Sequence, residues 1–399
     1  MNKKLPESFC ILPWVHTQIG IDGSILTCGE VTNNAKMSCK NDESLSEVWN
    51  NEKYKTIRKQ FLKGEVPSQC DMCFKKESMG HESDRMKGHS WYSEYFHHVD
   101  QTQDDGGLPL THLKSMDLRL SNICNFKCRT CGPEASSALA KDWAFLTKKK
   151  IENAQIRAFN HIQDFLNYMG DVLQQLEKIF FVGGEPFLMI EQFKLIESLN
   201  NAQKTESIEL YYNTNLSVTK YGKTSIVELL KNYKSVVFNV SIDETHERGA
   251  YIREGFSWEV FKANIRHFSQ GLNNLRINYN ITVSNINAYY LPDIIDTCIR
   301  EFNTPPEAFI LNPVLGPRHY ALWNLTESAK ERTLEKLINY QGSCSDPILK
   351  YRLEGIINFV KEESSSKELK AFKQITRRLD QVKSLSFQEL FPDLKELLD

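Results

Sequence analysis

From residue 113 to residue 314 the chain alternates short β-rich runs with longer amphipathic stretches. The runs are LKSMDLRL (113–120), KIFFV (178–182), SIELYYN (207–213), SVVFNVSI (235–242), LRINYNITV (275–283) and AFILNPV (308–314). Helical patterns fill 135–147, 156–175, 188–201, 223–233, 257–270 and 288–302 between them. Strands joined through a helix pair in parallel, because the crossover carries the chain back to the end where it started. The pattern predicts an α/β fold with a parallel sheet, open or curled into a partial barrel. In such sheets the chemistry sits in loops after the strands' carboxyl ends. The loop after the first run reads CNFKCRTC, residues 124–131.

Cysteines spaced C-x3-C-x2-C point to metal. Thiolates take zinc, copper(I) or iron–sulfur clusters. Structural zinc sites combine paired ligands into a closed set of four, and this loop has no obvious fourth ligand nearby. An iron–sulfur cluster of the [4Fe–4S] type tolerates three cysteines, since each iron needs one outside ligand. Its fourth iron is then open to a bidentate molecule. A zinc or structural cluster domain is the competing reading.

Placed after a first α/β strand, this loop resembles that of the radical S-adenosylmethionine (radical SAM) superfamily. Further motifs come in the order that family requires. FFVGGEP (180–186) is similar to its Gly-Gly-Glu-Pro motif, which contacts the methionine amino group. The match assigns Gly183, Gly184, Glu185 and Pro186 to SAM. YYNTNLS (211–217) resembles the third-strand Thr-Asn-Gly signature, with Leu216 in place of Gly. Asn215 matches the signature's Asn, and Asn213 shares its face if the strand continues. NVSIDETHERGAYIREG (239–255) resembles the fourth-strand region, where Ser241 lies near the ribose and Arg253 reaches the methionine carboxylate. ITVSNIN (281–287) falls where the fifth strand packs on adenine. Relatives commonly carry an aromatic before the last cysteine, against adenine. Thr130 stands here, which leaves that packing to Phe126 or the fifth-strand segment.

The resemblance covers about 113–317 and implies a partial (β/α)6 barrel. Cys124, Cys128 and Cys131 would hold a [4Fe–4S] cluster whose open iron SAM chelates. Reductive cleavage of SAM would give methionine and a 5′-deoxyadenosyl radical that takes a hydrogen atom from substrate. The implied electron donor is a reductant such as flavodoxin or ferredoxin. Asp243, Glu185 and Tyr279 lie at expected strand ends and are candidates for proton transfer.

Residues 1–80 hold five more cysteines. IGIDGSILTC reads as a hairpin about Asp22-Gly23, and SLSEVWNNEKYKTIRKQFLKG as helix ended by Gly64. With the closing C-x2-C the segment resembles the SPASM/Twitch auxiliary-cluster domains, although those usually follow the barrel and this one precedes it. Residue by residue, the resemblance assigns Cys10, Cys28, Cys70 and Cys73 to a second, auxiliary [4Fe–4S] cluster. Cys39 is left spare, and a four-cysteine zinc site fits the spacing alone. Residues 81–112 read as a polar linker with some helix. Its His81, His89, His97 and His98 are expected to be solvated, beside the aromatics Trp91, Tyr92, Tyr95 and Phe96. Residues 113–325 form the core, and 326–399 a charged helical extension without a chemical motif. Cys298 and Cys344 read as apolar fillers.

A formal net charge of -2 and 25% charged residues give no basic stripe for nucleic acid. The opening MNKKLPESFC has no apolar run behind it, so neither a signal peptide nor a membrane span is expected, and the cytoplasm is the expected compartment. SPASM/Twitch relatives often modify peptides or proteins, which puts a peptide or protein substrate first. A small metabolite such as a sugar, nucleotide or amino acid comes second. A non-catalytic metal-binding interaction module is the alternative of another class.

Overall fold

The computed structural model of the chain describes residues 5–31, 35–39 and 42–399. The first four residues, on which the leader reading bears, lie outside these. Thirteen strands occur among the described residues: β1 (His16–Ile19), β2 (Ser24–Leu26), β3 (Ser38–Cys39), β4 (Ser115–Leu118), β5 (Lys127–Cys128), β6 (Lys178–Phe181), β7 (Glu209–Thr214), β8 (Lys220–Tyr221), β9 (Thr224–Ser225), β10 (Ser235–Ser241), β11 (Arg253–Glu254), β12 (Leu275–Val283) and β13 (Phe309–Pro313). The sequence runs become β4, β6, β7, β10, β12 and β13, paired in parallel in chain order. The expected α/β parallel architecture is what the chain adopts.

Alternation along the strands separates two faces. On β10, Val236, Phe238 and Val240 are fully buried against the helix layer. The helix Trp258–Gly271 meets them with Trp258, Phe261, Ile265 and Phe268, the three-and-four spacing of one helical face. Phe238 and Phe268 meet edge to face at 5.1 Å between centroids. Burial of each such ring contributes about 1.5–3 kcal/mol. The opposite strand faces line the lumen.

The N-terminal cysteine-rich segment is part of the same sheet. Its β1 pairs in parallel with β4, and the β1–β2–β3 meander continues outward to make nine strands. The hairpin is as expected: Gly23 takes φ +78°, a conformation that glycine adopts without a side-chain clash. Residues 81–112 are more than a linker. They form the helix Asp84–Trp91 and a 3-10 stretch at Ser93–Gln101, and Tyr92 is buried with its hydroxyl 2.6 Å from Ser115 Oγ. Two of the aromatics that the sequence places there are the reason: Tyr92 and Tyr95 are buried, while Trp91 stays 43% exposed.

The C-terminal region is helical, as expected, and it closes the open side of the sheet. In the helix Pro347–Lys361, Arg352 donates to Glu307 O at 2.7 Å and Phe309 O at 2.6 Å, at the start of β13. Its guanidinium also lies 4.0 Å from Glu82. One face on, Asn358 donates to Met79 O at 3.2 Å, and Phe359 meets the His81 ring. The helix thus bridges the β13 edge and the segment 79–82. Cys298 is fully buried and Cys344 half-buried. Among the described residues no helix is long and apolar enough to cross a membrane.

Candidate functional site

The cysteine loop is shaped by two glycines from the next strand's turn. Gly183 has φ +113°, and a Cβ there would lie 2.7 Å from Ser121 O. A Cβ on Gly184 would lie 2.2 Å from Ile123 O. This close approach lets Gly184 N and Glu185 N donate to Ser121 O and Ile123 O at 3.0 and 2.7 Å. The GGE turn and the entry to Cys124 are therefore one hydrogen-bonded unit. On the far side of the loop, β5 pairs antiparallel with β11, which sets Cys128 opposite Arg253 and Lys127 opposite Glu254.

Glu185 is buried, and burial raises its carboxyl pKa. Its oxygens accept from Thr214 Oγ1 at 2.6 Å, Asn215 N at 2.7 Å and Phe187 N at 3.1 Å. It ties the second-strand turn to the end of β7. Asn215 reaches Asn125 in the cysteine loop at 2.9 Å. Arg253 donates to Asp243 at 2.8 Å, and Asp243 also accepts from Thr282 N at 2.9 Å. The Nε of Arg253 is buried with no partner, a donor left for an anionic group. Ser241 ends β10 half-buried on the lumen side.

The thiols fit soft-metal ligation. Burial pushes Cys124 up to about 11, against the Phe126 N–H, which lowers it. Cys128 and Cys131 share a hydrogen bond, so Cys128 is raised and Cys131 lowered, with Arg253 favouring both thiolates. In the N-terminal segment Cys10, Cys28, Cys70 and Cys73 are mutual electrostatic neighbours. Burial raises all four, Cys70 to about 12. A bound metal cation would reverse that and hold them as thiolates. Among the described residues no three His, Cys, Asp or Glu side chains are placed to hold a metal ion; a four-iron cube sits between its thiols and needs no such convergence. Cys39 lies elsewhere, on β3 opposite Ser24.

Three further residues of the sequence reading have defined places. Tyr279 is corrected outright: it faces the helix layer and stacks on Phe302 at 5.6 Å, because the lumen phase of β12 belongs to Asn278, Asn280 and Thr282. Phe126 is buried under Gly255, whose Cβ would lie 2.7 Å from its ring. Asn213 faces the lumen two residues deeper than Asn215. Nor are the histidines all solvated. His81 and His98 are buried, and His98 stacks on His112 at 4.0 Å.

Sequence reasoning missed a ladder of carboxamides across the lumen. Asn278 donates to Asn239 at 2.9 Å, and Asn239 donates to Asn213 at 2.8 Å. Asn312 donates to Asn280 at 2.5 Å. All five are half-buried. In the row below, the lumen-facing Phe180 stacks on Tyr211 at 4.5 Å, and Trp91 stacks on Phe180 at 5.7 Å. The signal was an Asn at the same phase of three successive strands.

Parts of the chain match known families and proteins. Residues 118–297 match the model of the radical SAM superfamily, and residues 10–74 that of an iron–sulfur cluster-binding domain, SPASM. The chain is 30% identical to a GTP 3′,8-cyclase of Staphylococcus epidermidis over 141 residues, 35% of this chain and 36% of that protein. It is 25% identical to the Haemophilus influenzae GTP 3′,8-cyclase over 175 residues, 43% of this chain and 45% of that protein. The match spans less than half the length of either relative. Native anSMEcpe with bound AdoMet superposes with a TM-score of 0.41 at 15% identity, over 57% of this chain and 59% of that one. Streptococcus suis SuiB bound to its precursor peptide SuiA superposes with a TM-score of 0.40 at 14% identity, over 83% and 69%.

Proposed function

From a chain that belongs to the radical SAM superfamily and carries an N-terminal SPASM domain, we propose an enzyme that cleaves SAM reductively to act on a small polar molecule in its lumen. The observation that carries the substrate class is the bridged open side. Arg352 and Asn358 join the β13 edge to residues 79–82, which leaves little room for a chain threading sideways. The relatives named for GTP support a small molecule as well. A peptide, placed first by sequence, is the competing outcome.

Cys124, Cys128 and Cys131 would hold the SAM cluster, and Cys10, Cys28, Cys70 and Cys73 the auxiliary one. When bound, the SAM cluster supplies the electron that splits the sulfonium and so starts hydrogen-atom abstraction from substrate. The chain's residues do the rest. Arg253, fixed by Asp243, would offer its free Nε to the methionine carboxylate. Glu185 holds the GGEP turn and Asn215 in register. Gly183 and Gly184 admit the close approach of the two loops, with Pro186 ending the turn, and Ser241 would face the ribose. The carboxamide ladder offers donors and acceptors to an uncharged polar group, above the aromatic rings. A flavodoxin or ferredoxin would reduce that cluster, and ten unpaired cysteines suit the cytoplasm.

The test adds cell extract, split by ultrafiltration, to the reduced anaerobic protein with SAM. The reading expects the filtrate to stimulate 5′-deoxyadenosine release. Stimulation by the retained protein and peptide fraction alone contradicts it.

A further inference from the structure

Arg129 lies between the second and third cysteines of the SAM-cluster loop, and its side chain is almost fully buried. Its Nη2 donates to Asp380 Oδ1 at 2.8 Å, and its Nε donates to Tyr251 O at 3.1 Å. The guanidinium sits 3.8 Å from the Tyr251 ring centroid, a cation–π distance. Tyr251 Oη donates to the same Asp380 oxygen at 2.8 Å. The other oxygen, Oδ2, accepts from Phe387 N at 2.8 Å. Asp380 belongs to the C-terminal helix Ser366–Lys383, 251 residues from Arg129 in sequence.

These contacts converge on the two segments that build the SAM site. Arg129 follows Cys128 directly, and its N donates to Ile252 O at 2.8 Å. Tyr251 and Ile252 lead straight into Arg253. One turn beyond Asp380, Lys383 pairs with Asp142 at 2.7 Å and also with Glu254. Glu254 in turn pairs with Lys127 at 2.9 Å. The helix therefore grips both strands of the β5–β11 pair from outside. That pair sets Cys128 opposite Arg253.

A buried ion pair adds little net stability over an apolar packing of equal shape; what this one does is tie the helix that carries Asp380 to the residue after Cys128. Resting on the radical SAM reading above, we propose that Asp380 is a positioning residue for SAM: through Arg129 and Tyr251 it sets the spacing between the cluster loop and Arg253. The C-terminal helix is thus part of the SAM site without touching SAM.

The test compares unaltered protein with Asp380→Ala and Asp380→Asn, reconstituted with iron and sulfide. Readouts are SAM affinity by equilibrium dialysis and the electron paramagnetic resonance spectrum of the reduced clusters with and without SAM. Asparagine keeps the shape and the bond from Phe387 N but loses the charge facing Arg129. The proposal expects both variants to lose about tenfold or more in SAM affinity and to show a weakened SAM-dependent spectral change. Iron held by the auxiliary cysteines stays unchanged. Rescue by Asp380→Asn, with affinity and spectrum as in the unaltered protein, overturns it and leaves a packing role. Should Asp380→Ala not fold, the isosteric variant alone decides. An unaltered protein whose spectrum ignores SAM refutes the radical SAM reading itself, and this inference falls with it.

Discussion

Replacing Asp243 by Asn isolates the role of Arg253. Both side chains are buried, 1% and 11% exposed, and they meet at 2.8 Å. Asparagine has the same shape and still accepts from Thr282 N. What changes is the atom facing Arg253, an acceptor that becomes an amide donor, so two donors confront each other beside an uncompensated guanidinium. Removing one partner of a buried pair costs about 3–5 kcal/mol. Some of this appears as lost stability, and the rest as displacement of Arg253. Every 1.4 kcal/mol that reaches SAM binding is about tenfold in affinity, so a loss of one to three decades is expected. Equilibrium dialysis with SAM on anaerobic, iron-replete protein measures it, with iron content as the folding control. Affinity within about twofold of the unaltered protein at equal iron would refute the reasoning: Arg253 then either needs no fixing or does not hold the carboxylate.

Three further perturbations have defined outcomes. Glu244 is 1% exposed, and burial lifts its carboxyl from 4.5 to about 7; the unfolded chain ionises first as pH rises, so about 3 kcal/mol of stability is lost between those two values. Denaturant titrations against pH should show that loss in the unaltered protein and a flatter profile in Glu244→Gln; parallel profiles refute it. Gly184→Ala drives a methyl toward Ile123 O and should cost about 1–3 kcal/mol or more, read as lower melting temperature and loss of iron from the first cluster. Cys28→Ala should remove roughly four irons per chain and Cys39→Ala none, by iron assay after reconstitution.

The sequence showed the core strands because each carries its own period-two pattern and its own helix, and both signals are local. It could not show β1 beside β4, because parallel pairing between segments about a hundred residues apart leaves no local trace. Tyr279 was misjudged for want of phase: NYNIT alternates polar and apolar, and the polar set claims the lumen. The same phase, read across β7, β10 and β12, would have exposed the carboxamide ladder, but only register brings Asn213, Asn239 and Asn278 together. The site motifs were legible because glycines and cysteines are tied to backbone geometry and metal, whatever surrounds them. Asp380 was not, since an acid late in a charged helix looks like any solvated one until its partner Arg129 is seen.

The central claim is that two thiol sets hold two clusters and that one of them serves SAM. The most direct test is anaerobic purification, an iron count, reduction, and chromatography for 5′-deoxyadenosine after SAM is added. The account expects roughly eight irons per chain and SAM-dependent 5′-deoxyadenosine that vanishes in Cys128→Ala. Zinc in place of iron, with SAM recovered intact after full reconstitution, would contradict it.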